Sequence, residues 1–446
     1  MNQVIKGQLI LLTIKRMGIN GEGIGFYKRQ TIFVNGALPG EIVEVEIKEV
    51  NPNYAVGVVT KFKKKSPYRT NPRCGHFEQC QCSDLQHLAY DQQLGHKQQL
   101  LLESLERYVD SPIEKTLVLP IIKANKEWQT RTYLNLPTRH DGEKVVVGMY
   151  ERGSNRLVYI DNCYMYHPFL QEKLQEVLDY LTKANISVYN PRYNQGSLRN
   201  IILRICPRTK ESMLIAVLFE KDPYLIKVLK KLSNITSINY VINEDEKSQT
   251  IDYKKIVHLT GKKYIDVIEN KIKYKILPSS FYFPNVEETN NYLLKLINNG
   301  YIAKNDNVVS IYSSLGTHEL LLKPYVKEIV GFEEEPFLVE NTIINIQNEN
   351  IKFLSGNIVE NLYEISKTMN IDCLIITPPR SGIDSKLLNA IKTLKIKKII
   401  YISQNPSTFA KNISHLQRQY QVKFIQPIDS HPQTIKFSIV AGLKIK

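Results

Sequence analysis

Short runs of β-branched and apolar residues, broken by glycine, fill the start of the chain. Leu9-Ile-Leu-Leu-Thr-Ile14, Thr31-Ile-Phe-Val34, Ile42-Val-Glu-Val-Glu-Ile47 and Ala55-Val-Gly-Val-Val-Thr60 read as strands. Gly21-Glu-Gly-Ile-Gly25 and Gly36-Ala-Leu-Pro-Gly40 lie between them. This pattern predicts a small, OB-like β-barrel over residues 1–62. A helical periodicity then holds to about Tyr108. From Leu117 to Leu277 strands alternate with scattered helices, which predicts a central α+β unit over 63–277.

The last unit, 278–446, alternates more regularly. Strands are expected at Val308–Tyr312, Glu328–Glu333, Ile351–Leu354, Asp372–Ile376 and Lys398–Ile402, with helices at Asn341–Asn348 and Ser385–Leu394. Such βαβ alternation predicts a doubly wound, Rossmann-like sheet, so the chain reads as a multidomain α/β protein. Ligands in such sheets bind just past the carboxyl ends of the strands. Two apolar runs end abruptly in this way, Ile375-Ile-Thr-Pro-Pro-Arg-Ser-Gly382 and Ile400-Tyr-Ile-Ser-Gln-Asn-Pro-Ser-Thr-Phe-Ala410. A third strand closes on Glu333, one unit after the small-residue turn Ser313-Ser-Leu-Gly-Thr317. That is how such folds hold a ribose. Gly21-x-Gly-x-Gly25 is not a dinucleotide loop, because no helix follows it.

Composition narrows the partners. The chain has 446 residues, too many for one core, with 43% hydrophobic and 23% charged positions. No apolar run is long enough for a membrane span, and no signal-peptide core opens the chain, so a cytoplasmic protein without membrane contact is expected. The net charge of +15 favours a polyanion such as RNA, although a lysine-rich composition alone gives the same sign. The linker Lys61-Phe-Lys-Lys-Lys65, Ser66-Pro-Tyr-Arg69 and Arg73 is either a solvated basic run or a phosphate contact. Arg199 and Arg204 flank an apolar strand and read equally as bearing on RNA or substrate positioning, or as salt-bridge or surface residues. Cys74, Cys80 and Cys82 cluster, and Cys163 offers a fourth thiol, so the set is either a metal or iron–sulfur site or a group of free thiols.

Several of these segments together resemble the RNA (uracil-5-)-methyltransferases, in the 23S ribosomal RNA branch that carries an N-terminal TRAM domain and an iron–sulfur cluster motif. The segments are Gly21-Glu-Gly-Ile-Gly-Phe-Tyr27 with Val34-x-Gly-Ala-Leu-Pro-Gly-Glu41, Ser66-Pro-x-Arg69, the cysteines with Leu85-Gln-His-Leu88, Ser279-Ser-Phe281, Gly331-x-Glu333, Pro378-Pro-Arg-x-Gly382, Asn405-Pro-x-Thr408 and Asp429-x-x-Pro-Gln-Thr434. The resemblance implies a TRAM RNA-binding barrel, an S-adenosyl-L-methionine-dependent methyltransferase domain, a monomer, and ribosomal RNA as partner. It implies Phe283, Tyr312, Gly316, Thr317, Glu333 and Thr377 at the cofactor, and Cys74, Cys80, Cys82 and Cys163 at the cluster. In that family a Cys adds to uracil C6, the activated C5 takes the methyl group, and a carboxylate removes the C5 proton.

The catalytic positions depart from that scheme. Gln404 stands at the nucleophile's place and Ser438 at the general base's. Thr377 replaces the Asp before Pro-Pro-Arg380, and Lys436 a His. Ser310 and Ser314 replace the Asp and first Gly of the cofactor turn, and Ser83 aligns with the third cluster Cys, Cys82 being displaced by one. An amide cannot add to C6. The first expectation is therefore an RNA-binding family member with a catalytically silent 5-methyluridine site. The alternatives are an active methyltransferase that needs no Cys, and a binding or assembly protein whose target is not RNA.

Overall fold

The computed structural model describes residues 4–80, 82–151, 154, 156–245, 251–280, 286–346, 349 and 351–446. Strands β1 (Leu9–Met17), β2 (Gly23–Tyr27), β3 (Gln30–Asn35), β4 (Ile42–Val50) and β5 (Tyr54–Lys64) close a barrel in the order β1-β2-β3-β5-β4. Alternation aims Ile10, Leu12, Ile14, Val43, Val45 and Ile47 into its core. The sequence pattern missed β2, whose two glycines carry little β signal. A Cβ on Gly25 would sit 2.6 Å from Leu12 Cγ, so glycine is what lets β2 lie against β1.

Part of the expected basic linker is structural. Arg69 grips buried Glu41 with two bonds, Nε to Oε1 at 2.6 Å and Nη2 to Oε2 at 2.7 Å, and its Nη2 also reaches the Gly36 carbonyl. Arg69, with N–H donors from Leu38 and Ser66, holds the Glu41 carboxyl below its ordinary range against the opposing effect of burial. Arg73 stacks 4.7 Å from the Trp128 ring centre. Lys61, Lys63, Lys64 and Lys65 remain exposed.

Helix α1 (Tyr90–Tyr108) follows. The central sheet is built from β6 (Tyr133–Asp141), β7 (Lys144–Tyr150), β8 (Leu157–Tyr159), helix α2 (Pro168–Lys183), β9 (Leu198–Cys206), β10 (Glu211–Leu218), helix α3 (Pro223–Lys230), β11 (Ser237–Ile242) and β12 (Val257–Gly261). Its order is β12-β11-β10-β9-β6-β7-β8. A hairpin, β13 (Ile265–Glu269) and β14 (Ile272–Ile276), leads out of it. Every residue of β9 is buried, which makes Arg199 and Arg204 structural. Arg199 donates to the carbonyls of Asn243 and Asp245, and Arg204 to that of Ser280 at 2.6 Å.

The last unit runs α4 (Val286–Asn298), β15 (Asn307–Ile311), α5 (Thr317–Leu322), β16 (Glu328–Glu333), α6 (Pro336–Ile346), β17 (Lys352–Ser355), α7 (Ile358–Thr368), β18 (Cys373–Ile376), α8 (Ser385–Leu394), β19 (Lys398–Ser403), α9 (Pro406–Gln417), β20 (Tyr420–Ile428) and β21 (Ser438–Ile445). The sheet order is β17-β16-β15-β18-β19-β21-β20, with β21 alone running against the other six strands. Its order reverses at β15, between β16 and β18, which is where a doubly wound sheet opens its crevice. Among the described residues no helix is long and apolar enough to cross a membrane.

Helix α1, which lies in the stretch read as central, packs against α9, and its Leu101 and Leu105 belong to the core of the C-terminal sheet. Its fully buried Lys97 donates to the equally buried Asp429 at 2.6 Å and to the His431 carbonyl at 3.0 Å. Tyr90 donates to the other Asp429 oxygen at 2.8 Å. Burial pulls the Lys97 ammonium below its usual range, and Asp429 opposes that pull. Lys97→Met would strand a buried carboxylate, so urea unfolding should show a loss of about 3–5 kcal/mol. Adding Asp429→Asn to that variant should recover much of the loss.

Candidate active site

Five strand ends meet at one edge of the C-terminal sheet. The register pairs Ile311 with Phe332 and Ile376, Ile376 with Tyr401, and Ser403 with Ile439. The turn after β15, Glu333, Thr377 to Arg380, Gln404 and Ser438 therefore share that edge. Antiparallel β21 contributes its starting end there, whereas the parallel strands contribute their finishing ends.

The turn after β15 is tightly held. Tyr312, Ser314 and Gly316 all have positive φ, at 65°, 52° and 75°. Buried Glu333 fixes this turn. Its Oε2 accepts the Ser314 N–H at 2.9 Å, and its Oε1 accepts those of Glu334 at 2.9 Å and Glu335 at 3.1 Å. Burial raises the Glu333 carboxyl despite these donors. Thr342 Oγ1 donates to the Ser314 carbonyl. Thr317 begins α5 behind Gly316, where a Cβ would sit 2.6 Å from Ile346 Cγ2. Under the turn, Ser313 Oγ donates to Glu319 Oε1 in a short bond. Burial pushes Glu319 up to about 7.

Thr377 is half-buried, its Oγ1 3.5 Å from His318 Nδ1. Burial pushes His318 down to about 4. The Arg380 carbonyl accepts from Asn405 Nδ2 and from Thr408 Oγ1, both at 3.2 Å. These bonds tie the Pro-Pro-Arg loop to the start of α9, which Asn405 caps through the N–H groups of Ser407 and Thr408. Gln404 is half-buried beside this cap. Ser438 is buried, its Oγ 2.8 Å from Ser430 Oγ, which in turn lies 2.9 Å from His431 Nδ1. Burial and nearby cations, led by Arg131, push His431 down to about 3, so that imidazole is neutral at physiological pH.

The cysteine stretch joins the same edge. Asp84 and Leu85 donate their N–H groups to the Gln433 carbonyl at 3.1 Å, and Asp84 Oδ2 accepts the Ile435 N–H. Cys74, Cys80, Cys82 and Cys163 line one cavity of about 10 Å³, room for about one water. Cys82 Sγ lies 3.6 Å from Cys163 Sγ and accepts from Arg131 Nη1 at 2.9 Å. Hydrogen bonds with Cys163 and Cys80, and then the Arg131 guanidinium, hold the Cys82 thiol well below its ordinary range. The same contacts and burial push Cys80 and Cys163 up. Among the described residues no group of three or more His, Cys, Asp or Glu is arranged to hold a metal ion. A cavity with room for about one water, in which Cys82 Sγ stands 3.6 Å from Cys163 Sγ and already accepts from Arg131, does not fit a four-cornered iron–sulfur cage.

Comparison with known proteins gives this arrangement a family. Residues 3–60 match the TRAM domain, and residues 89–443 match the tRNA (uracil-5-)-methyltransferase family. The chain belongs to the tRNA (uracil-5-)-methyltransferase family. Relatives include an uncharacterized RNA methyltransferase of Bacillus anthracis, 30% identical over 99% of this chain and 97% of the relative. Another, from Halalkalibacterium halodurans, is 32% identical over 96% of this chain and 95% of the relative. The fold matches the Pyrococcus abyssi tRNA (uracil-54, C5)-methyltransferase solved with S-adenosyl-L-homocysteine, with a TM-score of 0.75, 24% identity, and coverage of 97% and 99% of the two chains.

For this uracil-5 methyltransferase family member the structure brings Thr377, Arg380, Gln404 and Ser438 to one edge and sets Tyr312, Gly316, Thr317 and Glu333 beside them. Phe283 lies outside the described residues. Sequence reasoning gave no role to Arg131, His318, Glu319 or His431.

Ser314 holds a left-handed conformation in which its side chain is strained, so Ser314→Gly should raise stability by about 1 kcal/mol in thermal melts. Glu319 adds a pH dependence. Its folded value near 7 lies above its ordinary 4.5, so its contribution is full below about pH 4.5 and is lost as pH rises through 7. Glu319→Gln removes that loss. Relative to the wild type, the variant should gain about 3 kcal/mol in urea unfolding between pH 5 and pH 8.

Proposed function

We propose that this protein is an RNA-binding member of its family whose uracil-5 transfer site is silent, and that its target is ribosomal RNA. The observation that carries the reading is the edge shared by β19 and β21, where an amide, Gln404, and a buried hydroxyl, Ser438, stand in place of a thiolate and a carboxylate. Neither of the remaining cysteines substitutes for the nucleophile. Cys373 is fully buried in β18, where burial raises its thiol to about 12. Cys206 is buried in the central sheet. Removing the members of such a constellation costs on the order of 10⁶ in rate. Binding is supported separately by the TRAM barrel and its exposed lysines.

S-adenosyl-L-methionine would supply the methyl group in any transfer here. The residues present fit its ribose end. Glu333 stands at the end of β16, and its carboxylate oxygens keep acceptor capacity beyond their backbone donors. The turn itself fits less well, with Ser310 and Ser314 at the Asp and first Gly positions. A carboxylate that remains able to hold a ribose favours one second reading, a cofactor-binding protein that transfers methyl groups without a Cys.

The two readings separate in one pair of measurements. An unmodified ribosomal RNA transcript incubated with protein and cofactor should yield no 5-methyluridine by nucleoside mass spectrometry; its appearance would overturn the proposal. Calorimetric titration of S-adenosyl-L-methionine, with Glu333→Ala as control, then reads the pocket. Micromolar binding lost in the control favours the second reading, and no binding favours a silent scaffold.

A further inference from the structure

The residues that replace the family's catalytic groups change the charge of the site as well as its reactivity. The resemblance places carboxylates at positions 377 and 438, and both are hydroxyls here. The same comparison places a His at Lys436. Arg380 and Lys436 are exposed at this edge, and among the described residues neither has an ion-pair partner. Arg380 is fixed through its carbonyl beside Gln404. Lys436 follows the Gln433–Ile435 turn, and its N–H donates to Thr434 Oγ1 at 3.2 Å.

We infer that this edge is a phosphate-binding site, in which Arg380 and Lys436 clasp a phosphate group of RNA and the Thr377 hydroxyl and Gln404 amide donate to its oxygens. The inference rests on the RNA-binding reading above and gives it a second anchor, distant in sequence from the barrel. Acidic neighbours offset only part of the charge, Asp84 favouring the Lys436 ammonium. Asp429 is taken up by Lys97 and Tyr90, and Asp84 Oδ2 accepts the Ile435 N–H. Arg131 is engaged by Cys82 and adds its field from behind. Burial, then Arg380 and Arg131, lower the Lys436 ammonium more than Asp84 raises it. A site in which two cations crowd each other gains from an anion that both can share. Neutral His431 neither competes nor repels. The guanidinium supplies a planar fork and the ammonium a point charge, the pairing used wherever phosphate is held by side chains.

The test uses the full chain and two probes. Fluorescence anisotropy follows labelled oligouridylate with a 5′-hydroxyl or a 5′-phosphate end, and calorimetry follows inorganic phosphate. Because both cations are exposed, R380Q/K436Q should keep the wild-type melting temperature. Its oligouridylate affinity should fall about tenfold at low salt, with a salt dependence shallower by about one to two counterions. S438E, which leaves the cations in place but returns a carboxylate, should weaken binding in the same direction. An equal loss for both oligonucleotides assigns an internal phosphodiester, and a loss confined to the 5′-phosphorylated one assigns a terminal monoester. Unchanged affinity in R380Q/K436Q, or tighter binding by S438E, would overturn the inference while leaving RNA binding by the barrel intact. If the wild type holds no RNA, the broader reading falls. Phosphate heat abolished by R380Q/K436Q would then still support the site, and no heat would end it.

Discussion

A lysine ammonium with no access to water stands at the centre of this architecture. Lys97 and Asp429 are both fully buried, and moving two such charges out of water costs several kcal/mol each before they attract one another. The arrangement holds because both carboxylate oxygens and two ammonium protons are used: Tyr90 takes one carboxylate oxygen, and the His431 carbonyl takes a further ammonium proton. The consequence is positional. Helix α1 is locked to the turn that leads into β21, and that turn also receives the N–H groups of Asp84 and Leu85. Two chain segments more than three hundred positions apart become one wall of the site. Hydrophobic packing of Leu101 and Leu105 could bring α1 to the sheet in several rotations; the buried pair selects one.

The site that this wall closes has a frame built from hydrogen bonds to backbone groups, with Gln404 and Ser438 at two of its strand ends. Asn405 still caps α9 and still ties the Pro-Pro-Arg loop, and Glu333 still organises the turn after β15. Ser314 keeps a left-handed backbone in which glycine would be unstrained. That strain persists because Glu333 and Thr342 fix the peptide units on either side of it. Hydrogen bonds to backbone groups set the geometry, and they do not depend on whether a thiolate or an amide projects from position 404.

Around the cysteines the same logic gives a different outcome. Arg131 donates to both the sulfur and the carbonyl of Cys82, so a guanidinium already engages the thiol that a metal would have to share. The shift of one position between Cys82 and Ser83 is enough to produce this. In a short loop one residue turns a side chain from one face to another, and here it sets Cys82 against Cys163 and Arg131.

The sequence by itself determined the layers. Period-two alternation and glycine turns specify a barrel, and βαβ alternation specifies a doubly wound sheet, because each pattern can bury its apolar face in only one kind of layer. Glu333, Thr377 and Gln404 were legible as strand-end positions because such ends are marked by an apolar run stopping at a polar or helix-breaking residue, whereas Ser438 was placed only by the family resemblance. Tertiary structure alone decided the rest. Strand β2 was hidden because its glycines matter for what packs against them, not for their own propensity. Arg69, Arg199 and Arg204 read as surface charge until Glu41 and distant carbonyls were seen to enclose them. Lys97 carried no signal, and Asp429 only that of a family motif with no partner named, since a lysine on a helix and an aspartate after a strand are ordinary until the fold removes both from water. Local pattern reports what a segment can bury; only the packed chain reports which charges meet.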